Sequence, residues 1–265
     1  MIPRFAETAV TRERWTMVSR RLLATLFTIS VASSAFAEDA PLPKFGPKAV
    51  PIFQSTTYLR DAAAPDYWNL APFYLPQRTT SDCSVAAIAM AVNALRGLPA
   101  NADQELVTEN SLMGGVADEE WMVKVTEDGN GVTFEDTSRY LRKAFDAFEL
   151  GDVSITSVQP AAASPEALEG LRAALAQNEK SDDDVMLVYF NQGVITGDWD
   201  GPHISPVGAY DAVSDRVLIM DVDRTWYVPY WTSTATLLAA LVKPIAEGHT
   251  GLAGGTGGYI LASKN

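Results

Sequence analysis

The stretch from Phe73 to Leu95, FYLPQRTTSDCSVAAIAMAVNAL, constrains this chain more than any other. From Val85 onward the apolar residues Ile88, Met90, Ala91, Val92 and Leu95 run almost without a break. That run predicts a helix buried on most sides rather than a surface helix with one apolar stripe. Cys83, the single cysteine of the chain, opens that core helix. Unpaired backbone N–H groups and the positive end of the helix dipole favour a thiolate there, and the thiolate is the nucleophilic form. Gln77 stands six residues upstream. Its amide can donate to an oxyanion forming beside the sulfur, with the backbone N–H of Cys83 as a second donor. An inert reading competes, because a lone cysteine is often a small buried hydrophobe with no chemistry.

The chain has 265 residues, 47% of them hydrophobic and 20% charged, which suits a globular protein with one sizeable core and room for a second lobe. Residues 1–37 read as a secretory signal. Arg12, Arg14, Arg20 and Arg21 precede an uncharged run from Leu22 to Phe36, which closes on Ala35-Phe36-Ala37 before Glu38-Asp39. The run is short for a membrane span. Ser19-Arg20-Arg21-Leu22-Leu23 also resembles a twin-arginine export signal, and Met17 would serve equally well as the start of a leader of usual length. The catalytic or binding domain is then residues 38–265, exported most simply to a bacterial periplasm, with no stable membrane association once the leader is removed. Loss of residues 1–37 removes five Arg and two Glu, leaving 15 basic and 31 acidic residues and a formal charge of −16. A surface this acidic repels phosphate backbones, so a nucleic-acid partner is not expected. One cysteine cannot form an intrachain disulfide, and a lone thiol in an oxidising compartment suggests a use, unless burial keeps it inert.

The segment from Glu38 to about Pro72 is interrupted by Pro41, Pro43, Pro47, Pro51 and Pro65 and reads as an irregular wrapping arm. Its expected anchors are Leu42, Phe45, Ile52, Phe53, Tyr58, Tyr67 and Trp68. Beyond the Cys83 helix, Asn101-Ala102-Asp103 can cap a short helix through Leu112 that Gly114-Gly115 ends. A second short helix is expected over Asp118 to Val125, followed by the Asp128-Gly129-Asn130-Gly131 turn. From Thr133, the residues Phe134, Tyr140, Leu141, Phe145 and Phe148 recur at helical spacing. A β-rich patch at Val153 to Val158 precedes Ser164-Pro165-Glu166, a helix start with Pro at its first position, leading a helix to about Gln177. At Asp184 the period changes. Val185 to Phe190, His203 to Tyr210, Arg216 to Val222 and Gly258 to Ser263 are short apolar or β-branched runs bounded by Gly, Pro and Asp, which is strand patterning. A final short helix runs from Ser233 or Thr234 to Leu241, and Gly251 to Gly258 reads as a loop. A helical first half and a sheet second half predict an α+β fold of two lobes with a cleft between them.

Only two histidines are present. His203 begins a strand after Gly201-Pro202, and Asp221 ends the next, so a hairpin can set the two side chains together. A carboxylate accepting from one imidazole nitrogen fixes the tautomer and frees the other nitrogen to take a proton from Cys83. Structural readings stand beside these: a strand-edge histidine, a turn aspartate, and a surface loop amide at Gln77. His249 competes as the base but has no following strand and carboxylate.

Two long motifs carry a resemblance. HISPVGAYDAVSDRVLIMDVDRTWYVPYW is similar to the catalytic His–Asp segment of phytochelatin synthases, and FYLPQRTTSDCSVAAIAMAVNAL resembles their Gln–Cys segment. GVTFEDTSRYLRKAF resembles a further family helix, and the likeness extends roughly from Pro72 to Leu241. The family is papain-like, which implies a two-lobed α+β catalytic domain with the nucleophile helix in its helical half and an antiparallel sheet in the other. It implies a Cys–His–Asp triad that attacks the Cys–Gly bond of glutathione and holds the γ-glutamylcysteinyl group as a thioester. The group then passes to water or to a second glutathione. Carried over, Cys83 is the nucleophile, His203 the base and then acid, Asp221 the orienting carboxylate and Gln77 the oxyanion donor. Arg224 stands where the family has Arg and would face a substrate carboxylate or make a structural ion pair. No cofactor is implied.

Departures from the family pattern are specific. Ser84 stands where Gly is usual, Gly201-Pro202 where Gly-Gly is usual, and the cysteine-rich C-terminal region of the plant enzymes is missing. Metal sensing through clustered thiolates is therefore not encoded, and metal would enter only as the metal thiolate of glutathione. Two alternatives remain beside the glutathione enzyme: a papain-like peptidase acting on another exported peptide, and a binding protein that keeps the fold without activity.

Overall fold

The structure is a computed structural model describing residues 45–101 and 105–265. The leader read over residues 1–37, the anchor Leu42, and Ala102 and Asp103 of the expected helix cap lie outside the described residues. Among the described residues no helix is long and apolar enough to cross a membrane.

The arm is more regular than its prolines suggest. Val50–Pro51 (β1) pairs with Tyr230–Ser233 (β6) at one sheet edge. Two short helices follow, Thr57–Asp61 (α1) and Pro65–Leu70 (α2). Pro65 occupies the first helical position, where its missing N–H would have had no partner anyway. Tyr58 and Tyr67 pack on the core as expected, whereas Phe53 and Trp68 face solvent. α2 docks through the buried Asp66, whose carboxyl is pushed up to about 10 by burial and then by the nearby Glu179 and Asp184. The neutral acid takes a hydrogen bond from the Asn178 amide. Glu179 in turn accepts from the Tyr58 hydroxyl at 3.0 Å and from the Tyr210 N–H at 2.7 Å, which ties arm to sheet.

The core helix runs over Cys83–Arg96 (α3), and every residue from Ser84 to Leu95 is buried. Truncating a large aliphatic side chain there costs ~2–5 kcal/mol. Glu109–Val116 (α4), Glu119–Lys124 (α5) and Phe134–Ala147 (α6) complete the helical half. The end expected at Gly114-Gly115 is corrected, because both glycines lie inside α4, which a Thr108/Ser111 capping box starts; the start expected at Asn101-Ala102-Asp103 rests on residues outside the described ones. At Gly115 a Cβ would lie 3.1 Å from the Phe148 ring. The starts of α5 and α6 follow the sequence, with Asp118 accepting from the Trp121 N–H and Thr133 from the Asp136 N–H.

The remaining strands are Val153–Val158 (β2), Asp184–Asn191 (β3), Pro202–Asp211 (β4), Arg216–Ile219 (β5) and Gly258–Lys264 (β7). They form one antiparallel sheet in the order β1-β6-β5-β4-β3-β7-β2. Three more helices, Pro165–Asn178 (α7), Gln192–Thr196 (α8) and Thr234–Val242 (α9), lie among these strands in sequence. Neither face of the central sheet is left to water. Val185, Leu187 and Tyr189 join α3 and α6 in one core, while Met186, Val188 and Phe190 join α7 and α9 in another. Alternate residues of β3 therefore serve opposite cores, and all eight are buried. The α+β architecture is the one the sequence predicts.

Two strand readings are corrected. β5 stops at Ile219 rather than Val222, because the chain turns where Asp221 Oδ1 accepts from the Asp223 N–H at 2.9 Å. β6 follows Pro229 and carries no alternating pattern long enough to identify it from sequence.

Candidate active site

Cys83 stands at the first position of α3, partly exposed, at a cleft of about 420 Å³. One wall of that cleft carries Gln77, Arg78, Thr79 and Thr80 from the loop before α3; the other carries Trp199, His203 and Asp223. The loop owes its shape to Asp82, whose Oδ1 accepts from the N–H groups of both Arg78 and Thr79 at 3.0 Å. Ser84 faces away from the cleft, its hydroxyl accepting from the Trp121 indole N–H at 3.0 Å. The residue where the family usually has Gly thus anchors α5 under the start of α3.

His203 enters at the head of β4, buried, with Phe190 edge-on to its ring at 5.7 Å. Its Nε2 meets Asp221 Oδ1 at 2.9 Å. That contact leaves Nδ1 for the sulfur, and Cys83 and His203 line the same cleft. Burial opposes a charge on the imidazole, but the Asp221 carboxylate and the Cys83 side chain outweigh it. The ring therefore holds its proton well above the ordinary histidine range.

A strand irregularity makes the His–Asp contact possible. Val207 pairs with Ile219, and the Met220 N–H bonds the Pro206 carbonyl at 2.9 Å. Continued one step, this register sets Asp221 opposite Ser205, on the same face as His203. Beyond Gly208 the register is Ala209 with Leu218. Had that second register held throughout, Asp221 would face Pro206 and point to the other side of the sheet. Gly208 is the extra residue, and a Cβ on it would come within 2.6 Å of the Met220 side chain.

Asp221 has a further partner that the sequence does not flag. Gln192, buried at the start of α8, donates from Nε2 to Asp221 Oδ2 at 2.9 Å. No motif marks it, since its partner lies 29 residues away and only the sheet brings the two together. Tyr74 was also missed: its hydroxyl donates to the Asp221 carbonyl oxygen. The Gln77 N–H bonds the Val222 carbonyl at 2.8 Å, so the loop before the nucleophile is fastened to the segment that carries Asp221.

Gln77 lines the cleft, and its Nε2 donates to the Thr79 carbonyl at 3.1 Å, which leaves the amide a second N–H to give. Arg224 is placed elsewhere. Its guanidinium lies over the Tyr74 ring, 5.4 Å from the centroid, and it does not line the cleft. The turn after Asp221 brings Asp223 to the cleft and leaves Arg224 exposed. His249 lines a neighbouring hollow with Cys83 but not the cleft that holds His203; its Nε2 lies 2.9 Å from the Asp200 carbonyl oxygen and its ring packs edge-on against Trp199. Among the described residues, no group of three or more His, Cys, Asp or Glu side chains is placed to hold a metal ion.

Behind the loop, Asp82 and Glu109 form a buried acidic pair. Asp82 Oδ2 and Glu109 Oε1 have no other hydrogen-bond partner, and the Arg78 guanidinium contacts Glu109. Burial, then the Asp82 charge, push the Glu109 carboxyl up to about 7.

A sulfur at a helix start, an imidazole and an orienting carboxylate form the constellation of a thiol acyl-transfer enzyme. The sequence matches the model of a family described as phytochelatin synthase over residues 49–249. No curated protein matches it. Among solved structures, that of the Pseudomonas avirulence protein AvrPphB is similar at 10% identity, with a TM-score of 0.33, over 73% of this chain and 99% of that one.

Proposed function

The chain belongs to the phytochelatin synthase family, and from that membership we propose that it is a thiol enzyme cleaving the Cys–Gly bond of glutathione, presented as the free thiol or as a metal thiolate. The supporting observation is the cleft in which the single cysteine faces a histidine already bonded to Asp221. In this reading the Cys83 sulfur attacks the carbonyl carbon, and the oxyanion is held by the Cys83 N–H and the Gln77 amide. The C–N bond breaks as the His203 imidazolium protonates the departing nitrogen, and glycine leaves. Cys83 then carries a γ-glutamylcysteinyl thioester. Water, deprotonated by His203, releases γ-glutamylcysteine; a second glutathione would give phytochelatin instead.

Intact-mass analysis after brief exposure to glutathione tests this. The wild type should gain one γ-glutamylcysteinyl group and release glycine, and Cys83→Ser should do neither. A folded sample with a reduced thiol that releases no glycine would overturn the proposal. We also place the enzyme outside the cytoplasm, on the leader read in residues 1–37. Recovery of full-length protein only from the cytoplasmic fraction would remove that part alone.

A further inference from the structure

Cys83 stands where two hollows meet. The larger, about 420 Å³, is lined by both Cys83 and His203. The smaller, about 110 Å³, is lined by Cys83 with Tyr189, Ile204 and Leu252, but not by His203. Thioester chemistry tells them apart. His203 must give a proton to the departing nitrogen and later take one from the attacking group. Leaving group and acceptor therefore share the larger hollow, and the acyl part is left to the smaller one.

Asp223 stands beside that proton transfer. It lines the larger hollow, its N–H is bound to Asp221 Oδ1 at 2.9 Å, and its own Oδ1 accepts from the Thr225 N–H at 3.2 Å. Its carboxylate interacts electrostatically with both His203 and Asp221. The triad makes no use of it. Arg78, which lines the same hollow, has its guanidinium on Glu109 and Asp82 rather than free for a ligand.

We infer that Asp223 selects by charge on the leaving-group side of Cys83, disfavouring any group that brings a carboxylate next to the reacting nitrogen. The inference rests on the proposed thioester at Cys83. In the second step the acceptor oxygen or nitrogen bonds to the thioester carbonyl carbon. The C–S bond breaks with its electron pair returning to sulfur, and His203 takes the acceptor proton. Water brings no charge to that step, whereas the amine of a second glutathione carries its α-carboxylate one carbon away. Asp223 thereby turns the thioester toward hydrolysis or toward neutral and cationic amines. The same charge acts on the donor, since the glycine carboxylate lies equally close to the departing nitrogen. Glutathione amidated at glycine is then the better donor.

The unique cysteine allows a test that does not need turnover. Cys83 in the full chain is modified with cationic aminoethyl and anionic sulfonatoethyl methanethiosulfonate, and the rate ratio is compared with that of 2-mercaptoethanol. The wild type should favour the cation by about tenfold over the free thiol, as a carboxylate lining the same hollow as the sulfur predicts. Asp223→Asn, which keeps the acceptor for Thr225, should reduce that bias severalfold. If this variant does not fold, Asp223→Ser, which also keeps an oxygen acceptor for the Thr225 N–H, serves in its place. With amidated and free glutathione as donors, the amide should be preferred by a similar factor that Asp223→Asn diminishes. A wild-type ratio equal to that of the free thiol, or one that no folded Asp223 variant changes, overturns the inference. A charge bias at Cys83 with no acylation by either donor would instead overturn the glutathione reading and leave the charge selection standing.

Discussion

Three donors converge on Asp221: the His203 ring at 2.9 Å, the Asp223 N–H at 2.9 Å and the Gln192 amide at 2.9 Å. With so many donors the carboxylate has little freedom to turn, so the imidazole it holds has little freedom either. Asp221→Asn should lower kcat for glycine release on the order of 10²–10⁴-fold, because the ring loses its orientation and charge partner. The pair also has a pH signature. His203 holds its proton well above the ordinary range in the folded chain. The stabilisation it gains from Asp221 is therefore complete below ~6.5, the unfolded value, and is lost as pH rises through the higher folded value. The difference in thermal midpoint between wild type and Asp221→Asn should be widest on the acid side and narrow toward alkaline pH; a difference that grows with pH contradicts the pair. Glu109 behaves likewise for a different reason. Its carboxyl is raised to about 7 by burial and Asp82, so its contribution is present below ~4.3, the ordinary range, and fades as pH climbs to about 7. Glu109→Gln retains a donor toward Asp82 and should flatten the fall in melting temperature over that interval, which calorimetry would show directly.

Among elements, the β4–β5 pair decides whether a site exists. His203 and Asp221 share a face only because the register changes at Gly208, and a one-residue slip exchanges the two faces of a strand. Deleting Met220 moves Asp221 one position along the strand, opposite Pro206 and away from His203, and should abolish thioester formation on Cys83, measured by intact mass, while far-UV circular dichroism stays near that of the wild type. Helix α3 is held differently, by packing on all sides and by Asn93. That side chain donates to the Val107 carbonyl and accepts from the Val107 N–H, both at 2.8 Å. The starts of α6, α7 and α9 are plain in the sequence because Thr133, Ser164 and Ser233 each accept from a backbone N–H three residues on. Such caps use only local chain, so a local reading finds them. Gly114 and Gly115 read locally as a helix end but lie inside α4, and of the two only Gly115 meets a distant neighbour, Phe148, 33 residues on.

On the scale of the whole molecule, charge would govern the approach of the proposed substrate, glutathione. The chain carries a formal charge of −13, and glutathione is itself an anion at neutral pH. Like charges slow encounter, and salt relieves them. The kcat/KM for glutathione should accordingly rise as ionic strength goes from about 0.01 to 0.15 M, and a fall across that range would point to an unseen cationic entry surface. By itself the sequence determined the buried helix with Cys83 at its mouth, the residue types of the candidate site and the α+β class. Each of these follows from apolar period, capping or the chemistry a side chain can do, all carried by neighbours along the chain. Tertiary structure alone decided that Asp221 turns toward His203, that Gln192 and Tyr74 hold the Asp221 segment, and that Asp223 rather than Arg224 faces the cleft. Those outcomes depend on strand register and on contacts between distant segments, and the one-residue change of register at Gly208 decides which side chains meet.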